Sequence, residues 1–127
     1  FFSNKYFKET ELQCKGTGIL KLAPGFLGAL VWLREIFGKP MIVTSCCRSP
    51  EHNTKVGGSE NSFHLTEGNV WRTEGTLAVD ILTSTDEYRQ ELIRLAREQG
   101  WSVGHGKGFV HLDMRIFIGL QREEFDY

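Results

Sequence analysis

Apolar residues between positions 24 and 38 recur at the spacing of an α-helix. Pro24 suits the first turn of such a helix, whereas Gly38 and Pro40 are typical of its end. The apolar positions are Phe26, Leu27, Leu30, Val31, Leu33, Ile36 and Phe37. Most of them lie along one face at this spacing, so the pattern predicts a largely buried helix in the core.

A second amphipathic helix is predicted between residues 84 and 99. Ser84 and Glu87 have the spacing of a capping box, in which two side chains satisfy backbone N–H groups at the start of a helix. Gly100 is the expected C-cap. The apolar positions of the buried face are Tyr88, Leu92, Leu95 and Ala96.

Strands and loops account for much of the remaining chain. A short helix is expected after Ser49, which can cap its start, with Pro50 in the first turn and Gly57 at the end. Residues 59–76 are polar and contain glycine, which indicates a long loop. The segments with strand composition are 41–45, 77–83, 101–103 and 109–115, the last two joined by a glycine-rich turn over 104–108. These elements predict an α+β fold with a small antiparallel sheet packed against a few helices.

Composition narrows the class of protein. The chain has 127 residues, of which 40% are hydrophobic and 24% charged, as expected for a single domain over residues 1–127. Its net charge is −1 and its basic residues are interspersed with acidic ones, so no nucleic-acid partner is expected. No apolar window approaches the ~18 residues of a membrane span. The expected protein is soluble, although a chain that starts at Phe1 leaves a removed leader open, and the oligomeric state is not predicted.

The cysteines do not suggest a disulfide framework. Cys14, Cys46 and Cys47 are odd in number, and two of them are adjacent, which is poor geometry for an intramolecular bridge. Synthesis in a reducing compartment and burial as small hydrophobic residues are the simpler interpretation. Thiolate metal ligation is the alternative, but no C-x-x-C spacing supports it.

Three residues could form an open zinc site. His64, Asp80 and His111 are ligands of the type found in hydrolytic zinc sites, where three protein ligands leave a fourth position for a water whose pKa the metal lowers to about 7. Asp80 interrupts an otherwise apolar strand, where an unpaired carboxylate would be costly to bury. The alternative is that His64 is solvated, Asp80 pairs with an arginine and His111 is a hydrogen-bonded core residue.

Asp113 is expected to support His111. His111 and Asp113 are two residues apart on one predicted strand, so their side chains point to the same face. An aspartate beside a ligating histidine commonly fixes the tautomer and the orientation of the ring.

Three sequence blocks resemble a known family. They are residues 48–53 (RSPEHN), then Ser62-x-His64 with Ala78-x-Asp80, and finally His111-x-Asp113. In this order they are similar to the zinc D-alanyl-D-alanine carboxypeptidase family and its phage endolysin relatives. With the helix after Pro24, the resemblance covers most of the chain.

The resemblance implies a zinc peptidase of the Hedgehog/DD-peptidase fold that acts on peptidoglycan stem peptides. It implies His64, Asp80 and His111 as the zinc ligands. Arg48 then binds the substrate carboxylate or polarises the scissile carbonyl, as suits a planar donor. Ser62 matches a substrate-contacting position. Such a protein is made in the cytoplasm of a bacterium or a phage-infected host and acts in the periplasm or cell wall.

The loop between the first two ligands departs from the family pattern. Asp80 follows His64 by sixteen positions rather than seven, so nine residues are inserted, over 67–75. The insertion contains Trp71, which is a candidate wall of the substrate groove. Local packing of this tryptophan is the alternative.

A second departure concerns catalysis. The family places a glutamate or histidine three positions before the last histidine ligand as general base, and that position here is Gly108. His105 is the first substitute that the sequence offers, because it precedes His111 on the predicted turn. Glu67, Glu74 and Asp113 are further candidates. The missing base also leaves open a zinc-stabilised module that binds a cell wall or virion partner without hydrolysis.

Overall fold

The structure, a computed structural model, describes residues 4–127. Its strands form a five-stranded sheet in the order β1-β2-β4-β3-β5, antiparallel throughout except for the parallel pair β3 and β5. This confirms the predicted α+β class. The helices are α1 (Glu9–Leu12), α2 (Phe26–Phe37), α3 (Pro50–Lys55) and α4 (Asp86–Glu98), with a 3₁₀ helix at Arg115–Ile118. The strands are β1 (Val43–Ser45), β2 (Ala78–Leu82), β3 (Ser102–His105), β4 (Phe109–Asp113) and β5 (Glu124–Asp126).

The two faces of the sheet have different compositions. Val79 and Ile81 on β2 pair with Leu112 and Val110 on β4, and all four side chains are fully buried in one core cluster with apolar residues of α2 and α4. Because successive residues of a strand point to opposite faces, Asp80 between them points away from this core. The sheet thus offers an apolar face to the helices and a polar face to the candidate ligands.

Helices α2 and α3 begin and end close to their predicted positions. Gly38 ends α2 with a left-handed backbone (φ 72°), a conformation that glycine adopts without steric cost. Ser49 caps α3 by accepting a hydrogen bond from the backbone N–H of His52, and Pro50 is its first residue. The cap fixes the direction of the chain immediately after Arg48.

The predicted cap of α4 is wrong by one residue. Thr85, not Ser84, is the N-cap, and its side chain accepts a hydrogen bond from the backbone N–H of Tyr88. Glu87 therefore falls one position short of the capping-box partner. At the other end Gln99 is the C-cap and Gly100 follows it with φ 90°.

The segment after the second helix also differs from the prediction. Gly104 and His105 belong to β3, so the turn is shorter than residues 104–108. The 3₁₀ helix and β5 were not predicted, because each spans only three or four residues and has no flanking pattern long enough to identify it. Strand β5 extends the sheet at the edge next to β3.

No helix within residues 4–127 combines the length and the apolar composition that crossing a bilayer requires.

The position of the α4 cap can be tested by mutation. We expect Thr85→Ala to lower the free energy of unfolding by about 1 kcal/mol, because it removes a hydrogen bond to an otherwise unpaired N–H of the first turn. Ser84→Ala is the matched control and should change it by less than about 0.5 kcal/mol. Urea denaturation measures both, and a larger effect for Ser84→Ala would contradict the assignment.

Candidate metal centre

His64, Asp80 and His111 converge on the polar face of the sheet. Asp80 on β2 and His111 on β4 are direct cross-strand partners, so their side chains share a face. His64 reaches the same point from the loop that follows α3. One ligand atom from each residue lies within 4.8 Å of the other two, and all three residues are buried. The trio could therefore hold one metal ion.

The backbone of His64 is fixed from two sides. Its carbonyl oxygen accepts hydrogen bonds from the backbone N–H of Arg48 (2.9 Å) and from the hydroxyl of Thr76 (2.8 Å). These contacts hold a loop residue beside the sheet, which the polar composition of residues 59–76 did not by itself predict. The position of His64 thus depends on Arg48, before α3, and on Thr76, at the end of the long loop.

Asp80 is the shared partner of the two imidazoles. Its Oδ1 lies 3.1 Å from Nε2 of His64 and 3.0 Å from Nδ1 of His111. Burial acts to raise the pKa of the Asp80 carboxyl, but the hydrogen bonds from His111 and His64 outweigh it and hold the pKa well below its usual range. Asp80 is an anion at neutral pH, and the alternative pairing with an arginine is not found among residues 4–127.

The outer nitrogens of both rings are already engaged. Nδ1 of His64 lies 2.7 Å from the carbonyl oxygen of Cys46, and Nε2 of His111 lies 2.8 Å from Oδ2 of Asp113. A carbonyl or carboxylate oxygen can only accept, so these nitrogens carry the protons. When both rings are neutral, lone pairs on Nε2 of His64 and Nδ1 of His111 then face the Asp80 carboxylate, and the three electron-rich atoms could hold a cation. A proton on either of these nitrogens is instead donated to Oδ1 of Asp80.

Asp113 is itself held by an arginine that sequence reasoning missed. Arg115 donates from Nε to Oδ1 (2.9 Å) and from Nη2 to Oδ2 (2.8 Å), a bidentate pair. Burial acts to raise the pKa of Asp113, but the bonds from Arg115 and His111 lower it to about 2. Burial acts to lower the pKa of His111, but its contacts with Asp113 and Asp80 raise this pKa above its usual value. Arg115 follows Asp113 by two residues, the spacing that could have indicated this pair.

Arg48 lines the pocket beside the trio, as the resemblance implies. Its Nη1 donates to Oδ1 of Asn53 (3.1 Å) and its Nη2 to the hydroxyl of Ser45 (3.3 Å). Gly58 packs against this pair so closely that a Cβ there would lie 2.1 Å from Oδ1 of Asn53. The guanidinium is therefore held in one orientation.

The long loop brings Ser62 and Phe63 into the pocket but leaves Trp71 outside its lining. The hydroxyl of Ser62 accepts a hydrogen bond from the backbone N–H of His64 (3.1 Å), so it supports the ligand loop as well as facing the pocket. Trp71 is 45% exposed and stacks on Phe63, with ring centroids 6.2 Å apart. This contact agrees with local packing, which was the alternative interpretation of Trp71.

His105 does not reach the site. It pairs with Val110 across the sheet, and both residues lie on the face opposite to His111. Its Nε2 lies 3.3 Å from Oε1 of Glu124, and the ring lines a groove beside α4. The prediction of His105 as general base is therefore not supported, because the strand includes this residue and alternation turns its side chain away.

The other candidates for the base are also absent from the pocket or already engaged. Glu67 and Glu74 are exposed and do not line it, and both oxygens of Asp113 are engaged by His111 and Arg115. Gly108 has φ 77° and open space around it. Among the lining residues that the structure describes, Asp80 is the only carboxylate.

Strand β5 and the residue that follows it contribute two aromatic side chains that sequence reasoning missed. Phe125 and Tyr127 line the pocket, and their ring centroids lie 5.6 and 6.2 Å from that of His111. Burial and the nearby Asp80 carboxylate raise the pKa of the Tyr127 phenol to about 12. The alternation of two aromatic residues at positions 125 and 127 was a signal for a strand with one side facing the site.

The three cysteines are free, buried thiols. The absence of disulfides among Cys14, Cys46 and Cys47 agrees with the sequence prediction, and none of them belongs to the cluster that could hold a metal. Only the backbone carbonyl of Cys46 takes part in the site, through His64.

Comparison with known proteins identifies the family. The family model described as Peptidase M15 matches residues 5–113, which include the trio, Arg48 and Asp113. No curated protein gives a significant match to the chain. The family match covers most of the chain and agrees with the motifs in residues 48–53, 62–64, 78–80 and 111–113. The chain therefore belongs to the peptidase M15 family.

Proposed function

We propose that the chain is one zinc peptidase-like domain that hydrolyses a D-amino-acid-containing peptide bond in peptidoglycan stem peptides. It would act as a cell-wall lytic or remodelling enzyme of the D,D-carboxypeptidase or endopeptidase type, such as an endolysin. The observation that carries the proposal is the convergence of His64, Asp80 and His111 in a pocket that also contains Arg48 and Ser62. Membership of a peptidase family supports peptides as the substrate class.

The donor set suits zinc. Two imidazole nitrogens and one carboxylate oxygen are a ligand set of hydrolytic zinc sites, and both imidazoles have the outer hydrogen bonds that orient such ligands. Zinc held there would supply Lewis-acid chemistry, polarising the carbonyl and making water a nucleophile at neutral pH. A thiolate ligand is absent from this cluster, which argues against a purely structural cysteine site.

The chain's own residues would bind and orient the peptide. Hydrolysis places a hydroxyl on the carbonyl carbon and a proton on the departing nitrogen, so negative charge develops on the carbonyl oxygen. Arg48, held by Asn53 and Ser45, presents its remaining N–H groups to this oxygen or to the terminal carboxylate of the substrate. The hydroxyl of Ser62 faces the same pocket and would contact the peptide backbone.

A second candidate function is a zinc-stabilised binding module of the same fold that docks on cell wall or a virion partner. One observation favours it: within the described residues, the pocket contains no carboxylate other than the ligand Asp80, and position 108 is glycine. A module that binds without turnover needs no general base. The two candidates share the metal and differ in hydrolysis.

Metal binding tests the zinc site that both candidate functions require. We expect the purified chain to bind one Zn²⁺, and His64→Ala and His111→Ala each to lose stoichiometric zinc, because each removes one of three ligands. His105→Ala is the matched control on the opposite face and should retain the metal. Metal analysis after dialysis measures this, and full zinc retention in both ligand variants would refute the site.

The role of Asp113 gives a quantitative test. Asp113→Asn should weaken zinc binding by about 10- to 100-fold, because the amide orients His111 less well and leaves the Arg115 guanidinium without its anion. Asp126→Asn, on the exposed strand β5, is the control and should leave zinc affinity unchanged. Competition with a chelating dye measures both, and equal affinity of the two variants would contradict the role of Asp113.

Turnover separates the two candidate functions. Zinc-loaded protein incubated with purified peptidoglycan or defined stem peptides should release new amino groups. Arg48→Lys should lower kcat/KM by about 10²-fold, because lysine lacks the planar pair of donors, while zinc content stays unchanged. Arg94→Lys on the exposed face of α4 is the matched control. No release by the unmodified chain across a pH series would favour the binding module.

A further inference from the structure

Strand β5 is anchored firmly beside the metal centre. The backbone N–H of Val103 donates to the carbonyl of Glu123 (2.9 Å), and that of Tyr127 donates to the carbonyl of His105 (3.1 Å). The carboxylate of Glu124 accepts from Nε of Arg97 on α4 (2.9 Å). The segment is therefore tied to both β3 and α4, and the side chains it directs at the pocket are held in place.

Gly104 allows β5 to touch a metal ligand. On β3 it pairs with His111, so a side chain there would lie between His111 and β5. A Cβ on Gly104 would lie 2.6 Å from the ring of Phe125, closer than real contacts allow, and 3.1 Å from Cβ of His111, a tight contact. Because the position is glycine, the Phe125 ring crosses β3 and packs beside His111.

Tyr127 extends this aromatic contact to the rim of the pocket. Two residues after Phe125, it points to the same side of the strand. Its ring centroid lies 5.3 Å from that of Phe109 and 6.2 Å from that of His111. Within residues 4–127 the hydroxyl has no hydrogen-bond partner. A phenol carries its proton at neutral pH, so this group is a free donor.

Arg48 and Tyr127 approach the pocket from opposite edges of the sheet. Arg48 follows β1, the strand at one edge, and Tyr127 follows β5, the strand at the other, with Asp80 and His111 on the strands between them. Both residues line the same pocket. A peptide carbonyl placed at the metal trio would therefore have one donor on each side.

We propose that Tyr127 is a further catalytic residue that donates a hydrogen bond from its phenol to the carbonyl oxygen of the scissile bond, opposite Arg48. The proposal rests on the peptidase function proposed above. The phenol keeps its proton throughout, and its hydrogen bond strengthens as negative charge grows on the carbonyl oxygen. Tyr127 lies beyond residues 5–113, the range of the family match, so it adds to the residues the family pattern covers.

The test compares zinc-loaded wild-type protein with Tyr127→Phe, which keeps the ring and removes the hydroxyl. The probes are a phosphinate analogue of D-alanyl-D-alanine, which mimics the tetrahedral transition state, and the unmodified dipeptide. Isothermal titration calorimetry should show phosphinate binding about 10- to 100-fold weaker in the variant, with dipeptide binding changed by less than about 3-fold. Tyr6→Phe, at a residue outside the pocket lining, is the matched control.

Each outcome decides the proposal. Zinc affinity should be equal in all three proteins, which shows that the variant retains the folded site. Equal phosphinate affinity in wild type and Tyr127→Phe, or no phosphinate binding by wild type, would overturn the role of Tyr127. Hydrolysis that is unchanged in Tyr127→Phe would overturn it while leaving the peptidase function intact. Phosphinate binding that depends on Tyr127, in a protein that hydrolyses no stem peptide, would refute the peptidase function and with it the catalytic role, and would leave Tyr127 as a donor to a bound ligand only.

Discussion

The buried carboxylate of Asp80, with an imidazole nitrogen on each side, is the constraint on which the site depends. A carboxylate in the middle of a sheet is costly to bury unless a positive partner compensates it. Here the two nearest nitrogens belong to His64 and His111, whose outer nitrogens already donate to Cys46 and Asp113. A positive charge among these three residues would compensate the carboxylate, and a divalent metal ion could supply it without protonating the rings.

The sheet order explains how a small protein builds this centre. Strands β2 and β4 are neighbours, so Asp80 and His111 face each other by register alone. Strands β1 and β5 lie at the two edges and bring Arg48 and the aromatic residues of positions 125 and 127 to the same pocket. Gly104 on β3 leaves the space through which the β5 side chains reach His111. The central strands β2 and β4 thus set the positions of Asp80 and His111, and the edge strands β1 and β5 bring the other pocket residues to them.

Sequence reasoning predicted the parts of the site that lie in long, regular patterns. The strand around Asp80 and the pairing of His111 with Asp113 follow from alternation, and the long helices follow from apolar spacing. It misplaced His105, because a glycine-rich stretch predicted a turn where the structure continues the strand. It missed Tyr127, because β5 is three residues long and becomes a strand only through pairing with β3, a contact distant in sequence.

The position of the metal is the most direct test of this account. A crystal structure of the zinc-loaded protein, with anomalous data collected on both sides of the zinc absorption edge, would locate the ion without assumptions about the ligands. We predict one zinc peak bonded to Nε2 of His64, Oδ1 of Asp80 and Nδ1 of His111. A peak at the cysteines or elsewhere, or no peak in crystals grown with zinc, would contradict the account.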